Sequence, residues 1–312
     1  MKSRKERRKG KSRKKSPPGI LYFVIIVVSI LFVYFLLFMR PPSNRMSSQP
    51  FQFKAAIVDH LSLTSPNQTF IQTATNILKN AGYTVKYYPG EEVDVEFYRY
   101  LPTHYYGLII LRAHSALRDP EGHPLVFFTS QKYSSTKYVQ EQLDPPLSPW
   151  PARIVPCAYT TEQAEEKTLY FGITPEFVKR DMKGKFVNTT IIMMGCNGLT
   201  YDEMAKALTN EKRAKVYIGW SKAISASHTD QATIQLLEHL ITENQTIKEA
   251  VDEISPDPAH DSRLDYYPKT AESYVIPKPE SNLTTNVAET NPKIEKLTMA
   301  KIMKKSEKTS IK

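Results

Sequence analysis

The sequence predicts an α/β fold: a mostly parallel sheet covered by helices on both faces, a three-layer sandwich, preceded by one transmembrane helix. Three observations predict it. Short apolar runs such as Tyr106–Ser115 (YGLIILRAHS) and Thr189–Gly198 (TTIIMMGCNG) lack the polar alternation of a half-exposed strand, and so read as strands buried on both faces. These runs alternate with stretches of helical spacing, and repeated strand-helix-strand units force parallel pairing with right-handed crossovers. Finally, Gly19–Met39 is an uncharged apolar run of 21 residues. As a helix it reaches about 31 Å, enough for a bilayer core of roughly 30 Å.

Taken in order, residues 1–18 form a basic head, with ten Lys/Arg against Glu6 alone. The excess of positive charge before the apolar run places the N-terminus in the cytoplasm and the body outside the cell membrane. The apolar run is too long for a signal peptide, and no small-residue cleavage site follows it. Residues 40–52 are rich in Pro and Ser and read as a tether. Phe53–Asp59 is a first strand and Asn67–Ala81 a helix, stopped by Gly82. Thr84–Tyr88 is a short strand, and Val93–Leu101 a short helix ahead of Pro102. Then come the strand ending at His114, the strand ending at Cys196, and a helix over Leu199–Leu208. A strand at Lys215–Trp220, a helix over Thr229–Glu243 and a last helical piece over Thr246–Ile254 complete the α/β domain, 53–277. Within it, residues 116–185 break the rhythm with Pro-rich turns and alternating runs, and read as a β-hairpin insertion with a short helix at Pro175–Asp181. Residues 278–312 read as a disordered Lys-rich tail.

The net charge of +10 sits at the two ends. The head carries +9, and the tail from Asn286 carries +4 from seven Lys and three Glu, which leaves the residues between at −3. The high pI therefore gives no reason to expect the body to bind nucleic acid. Sequons at Asn67, Asn188, Asn244 and Asn282 permit glycosylation of an outward-facing body.

His114 and Cys196 each end an apolar strand, at the carboxyl edge where open α/β sheets collect their functional groups. If the two strands are neighbours, roughly 4.8 Å apart, an imidazole and a thiol lie within reach, the makings of an activated nucleophile. A helix starting just after Cys196 would favour the thiolate. Competing readings stay open. Each residue can be an ordinary core group, and two cysteines in an exported chain allow a Cys157–Cys196 disulfide. Metal-ligand spacing of the CxxC or HExxH kind is missing around Cys196, His114, His60 and His123, so no metal is expected. Asp59-His60-Leu61-Ser62 stands where a phosphate loop would follow the first strand, so no nucleotide cofactor is expected either.

In this combination of features the chain resembles the caspase-like cysteine peptidases, the clan of caspases, metacaspases, clostripain, gingipains, separase and the CHAT domains. The clan's pattern is a hydrophobic strand ending in His, usually followed by Gly, and a later one ending in the catalytic Cys; LIILRAHS and IIMMGCNG fill those places. KVYIGWSKAIS and the helical stretch after it look like the strand and helix that follow the cysteine, and the resemblance covers about Phe53–Ile254. It implies Cys196 as nucleophile, His114 as general base, and the backbone N–H groups of Ser115 and Cys196 as oxyanion donors. Ser115 departs from the pattern, since Gly is usual there. In the clan, the pocket for the residue before the cut forms near the ends of the first strand and of the strand after the cysteine, here Asp59-His60 and Trp220-Ser221. Asp59, or Asp230 in its place, would then pair with a Lys or Arg of the substrate; the other reading is that Asp59 only caps a turn or orients His60. The expectation is a membrane-anchored, outward-facing cysteine endopeptidase with a Cys-His dyad and a peptide or protein substrate. The alternative is a catalytically inactive caspase-like ectodomain that binds a peptide or protein partner.

Overall fold

A computed structural model describes residues 52–119 and 123–279. The expectations for 1–18 and 19–39, for 40–52 up to residue 51, and for the tail from residue 280 on lie outside the described residues. Within those residues no helix is long and apolar enough to cross a membrane. The chain divides into units 1–50 and 51–312, and everything described belongs to the second.

The centre of the body is a six-stranded sheet of β1 (Lys54–Asp59), β2 (Thr84–Pro89), β3 (Leu108–Arg112), β8 (Thr190–Met193), β9 (Val216–Trp220) and β10 (Leu264–Tyr267). Its order is β10-β9-β8-β3-β1-β2, all parallel except β10, which runs antiparallel to β9 at the edge. Every residue of β3, β8 and β9 is buried, as their unbroken apolar sequences require. Alternate residues serve opposite faces. Val58, Ile109, Leu111, Ile191, Met193 and Tyr217 pack into one core, and Ile57, Leu108, Ile110, Ile192, Val216 and Ile218 into the other.

Helices cover both cores. On the second lie α1 (Gln68–Asn80), α6 (Ala226–Leu237) and α7 (Ile247–Asp252); on the first lie α2 (Val95–Tyr100), α4 (Pro175–Arg180) and α5 (Glu203–Lys206). The caps follow from the sequence. Asn67 accepts the Phe70 N–H at the start of α1, Gly82 beyond its end has φ +86°, and Thr246 and Glu249 form a capping box on α7.

Two expectations need correction. The insertion is more than a hairpin: β4 (Ser115–Asp119), β5 (His123–Lys132), β6 (Ile154–Cys157) and β7 (Tyr170–Ile173) make a second, antiparallel sheet in the order β4-β5-β7-β6, with a one-turn helix α3 (Thr161–Glu165) between β6 and β7. The helix after Cys196 begins late, at Glu203. Residues 197–200 bond sideways to the end of β9, through Asn197 N–H to Lys222 O and Leu199 N–H to Trp220 O, both 2.8 Å, and so cannot enter a helix. Strand β10 was not foreseen.

Candidate active site

β3 and β8 are neighbours in parallel register, Leu111 opposite Met193. Three residues beyond this pair, past the ends of both strands, stand His114 and Cys196. The approach there is tight: a Cβ on Gly195 would lie 2.3 Å from Ala113 O and 2.4 Å from Ser115 Oγ, so only glycine fits. Ser115 is buried and donates its hydroxyl to Cys196 O at 2.6 Å. Its side chain therefore braces the cysteine turn from below.

Both cysteines are free thiols, which removes the Cys157–Cys196 disulfide. Cys157 lies against Tyr170 O on the second sheet, and burial pushes its thiol up, away from ionisation. Cys196 is half-buried, and its Sγ accepts the Ile224 N–H at 3.4 Å. This is the backbone N–H aimed at the sulfur, rather than the start of the helix that follows the cysteine. Ile224 stands just ahead of α6, and its loop is held from behind: Asp257, 1% exposed, accepts the Ser225 N–H and Oγ–H, each at 2.9 Å, and faces His260 Nδ1 at 2.8 Å. Burial would raise the Asp257 carboxyl, but these contacts hold it well below the usual range.

His114 turns the other way along the edge. Its Nε2 lies 2.8 Å from Thr64 Oγ1, in the turn after β1. Tyr159, from the insertion, stacks on its ring at 5.5 Å and 12°, and Tyr170 stacks on Tyr159 at 4.1 Å. His60 meets His114 edge to face at 5.7 Å. Burial, then the positive charge of Arg112, keeps the His114 imidazole below its ordinary pKa. His60 is fully buried with Nε2 3.1 Å from Tyr159 OH. That hydroxyl donates to Thr129 O, so the imidazole N–H must be at Nε2, and Nδ1 is left without a partner. Burial first, then His114, pushes His60 down to about 3. No hydrogen bond joins His114 to Cys196 among the described residues.

Around this pair the expected substrate-binding residues fall differently. Asp59 is 1% exposed; Arg112 donates to Oδ1 at 2.7 Å and Tyr87 OH to Oδ2 at 3.1 Å. Arg112 also grips Asp230 in bidentate fashion, 2.7 and 2.8 Å. Both acids are therefore spent on a buried arginine, which corrects the expectation that either opens onto a pocket for a basic side chain. His60 and Trp220 are buried as well, the indole donating to Thr229 Oγ1 at 3.0 Å. Of the four, Ser221 alone is partly exposed. Asn67 donates to Asp230 at 2.9 Å while capping α1, so the amide of that sequon is already engaged.

No protein-family model matches this chain, and no curated protein matches it. The functional reading therefore rests on the site itself. Thr64, Tyr159 and Ile224, which hold the ends of the two strands, were not singled out by sequence: they lie in a turn, an insertion and a loop, and only the folded chain brings them to His114 and Cys196.

Proposed function

We propose that this chain is a caspase-like cysteine endopeptidase, anchored by the 19–39 segment with its body facing outward, that uses Cys196 as nucleophile and His114 as general base. The observation that carries this reading is the place of the two residues, each three positions past the paired Leu111 and Met193, just beyond the carboxyl ends of neighbouring parallel strands. The surroundings supply the remaining parts. Ile224 stands against Sγ with both its N–H, at 3.4 Å, and its carbonyl, at 3.8 Å, and so holds the sulfur in place. Thr64 accepting Nε2–H would fix the imidazole tautomer, with Nδ1 as the base. In the antiparallel ladder, hydrogen-bonded and non-hydrogen-bonded pairs alternate. Since Phe128 N–H bonds His114 O, the next pair, Ser115 with Phe127, is a non-bonded one, and the Ser115 N–H faces away from β5. The Cys196 N–H has no acceptor among the described residues. These two donors fit an oxyanion hole, and the serine side chain, tied to Cys196 O, stays out of it.

In this mechanism His114 takes the thiol proton as Sγ attacks the scissile carbonyl. The tetrahedral oxyanion is held by the two N–H groups, and its collapse breaks the C–N bond while His114 protonates the leaving amine. Water, deprotonated by the same imidazole, then hydrolyses the thioester. The test compares wild type with Cys196→Ala and His114→Ala against a peptide library. Cleavage by wild type that disappears in both variants is expected, and no cleavage by wild type under any condition would sink the peptidase reading.

A second reading has its own support. Thr64 and Ile224 engage the imidazole and the sulfur on opposite sides, an arrangement that suits a non-catalytic ectodomain binding a peptide or protein partner. Rapid alkylation of Cys196 by iodoacetamide near neutral pH separates the two, because only the peptidase needs a reactive thiolate.

A further inference from the structure

We propose that the edge of the body opposite His114 and Cys196 is a docking face for the surface of an anionic lipid bilayer. The inference concerns a different surface from the peptidase site and rests only on the anchoring of the chain by its 19–39 segment.

Seven large apolar side chains are exposed among the described residues. Two, Leu63 and Tyr201, flank the reactive edge, following β1 and β8. The other five are Tyr100, Tyr105, Val139, Leu147 and Trp150. Tyr100 ends α2 and Tyr105 stands in the turn just before β3 begins, beside His104, whose carbonyl accepts Lys54 Nζ at the first residue of β1. Val139, Leu147 and Trp150 belong to one loop of the insertion, in which Leu147 is 77% exposed. That loop is tied to the same edge. Glu141 faces Arg99 at 3.8 Å, Arg153 pairs with Asp181 at 3.1 Å, and the Arg180 guanidinium lies 3.3 Å over the Trp150 ring. Lys183 N–H in turn bonds Arg99 O.

Exposed cations share the edge. Lys183 and Lys185 precede β8, and Lys215 precedes β9. Burial, then Lys185 and Lys183, keeps the Lys212 ammonium below its ordinary pKa, which marks how closely these charges gather. Tyrosine and tryptophan, apolar with a polar tip, are the side chains favoured at a bilayer-water boundary, and clustered lysines favour anionic headgroups. Position selects the occupant. β1 starts at this edge, so the chain arrives here from the apolar run, through a tether of thirteen residues, 40–52, that spans at most about 45 Å. With this face on the bilayer, the reactive edge stands one strand length further out, about 20 Å for the six residues of β1.

The chain has two tryptophans, and Trp220 is buried near the far edge, so fluorescence reports this contact directly. The full chain is reconstituted into vesicles of phosphatidylcholine with a minor share of phosphatidylglycerol, with and without bromine on the lipid acyl chains. Expected is a loss of the Trp150 emission on bromination, absent in Trp150→Phe and reduced in Lys183→Gln/Lys185→Gln. Unchanged Trp220 emission in Trp150→Phe shows that the variant is folded. Flotation of the chain with the vesicles and no bromine quenching overturns the docking face and leaves the anchor standing, as does quenching that persists in Trp150→Phe. Failure to float overturns both. Peptide cleavage enters none of these readings, so the peptidase proposal stands or falls separately.

Discussion

Arg112 shows how much one side chain can organise. It is fully buried, and its guanidinium ties the end of β1 through Asp59, the following turn through Ser65 O at 2.8 Å, and α6 through Asp230. One cation thus faces two buried carboxylates. Burial raises the Asp59 carboxyl while Arg112 and Tyr87 pull it down. Removing the cation leaves two uncompensated anions, so Arg112→Met should cost about 3–5 kcal/mol in denaturant unfolding. Arg112→Lys should recover little, because an ammonium cannot grip Asp230 by two parallel bonds; a loss under about 1 kcal/mol in Arg112→Met would argue against the network. The sequence held a clue here. A lone arginine inside LIILRAH, a run buried on both faces, demands an acidic partner. Reading Asp59 as open for substrate overlooked that demand two residues before His114.

At the scale of elements, strands were readable because burial on both faces writes itself as unbroken apolar sequence, whereas β10 was not. Its LDYY is an edge strand with half-exposed residues and no distinctive pattern. The helix after Cys196 carried helical spacing, but the spacing could not show that residues 197–200 are claimed by the backbone of β9. Nor could spacing show that the insertion, through Tyr159, supplies the surface on which His114 stacks. At the junction of β3 and β8 the need for Gly195 is steric. Gly195→Ala should cost about 1–3 kcal/mol by overpacking, since Ala113 O is backbone and cannot yield. In a Ser115→Ala background one of the three clashing atoms, Ala113 O, Ser115 Oγ and Met193 Cε, is gone, so the same substitution should cost less. Strictly additive effects of the two changes in unfolding measurements would show that the contact at Gylcine-sized spacing does not control this junction.

For the molecule as a whole, the buried imidazoles make stability depend on pH in one direction. His60 sits between the two sheets' contributions to the site, fully buried and held neutral, with its pKa brought down from 6.5 to about 3 by burial and then by His114. Between those values the unfolded chain binds a proton that the folded chain refuses. Stability contributed by the neutral ring is therefore complete above pH 6.5 and is lost as pH falls toward 3, with a slope approaching about 1.4 kcal/mol per pH unit. His114, lowered by burial and by Arg112, acts in the same sense. From pH 7 to pH 5 the His60 share comes to about 2 kcal/mol. His60→Gln keeps an N–H for Tyr159 OH and does not titrate, so its unfolding free energy should fall by about that much less over the same interval. Urea unfolding of both proteins across this range, followed by near-ultraviolet circular dichroism, gives the comparison. Parallel pH profiles would mean that His60 is not kept neutral by the fold.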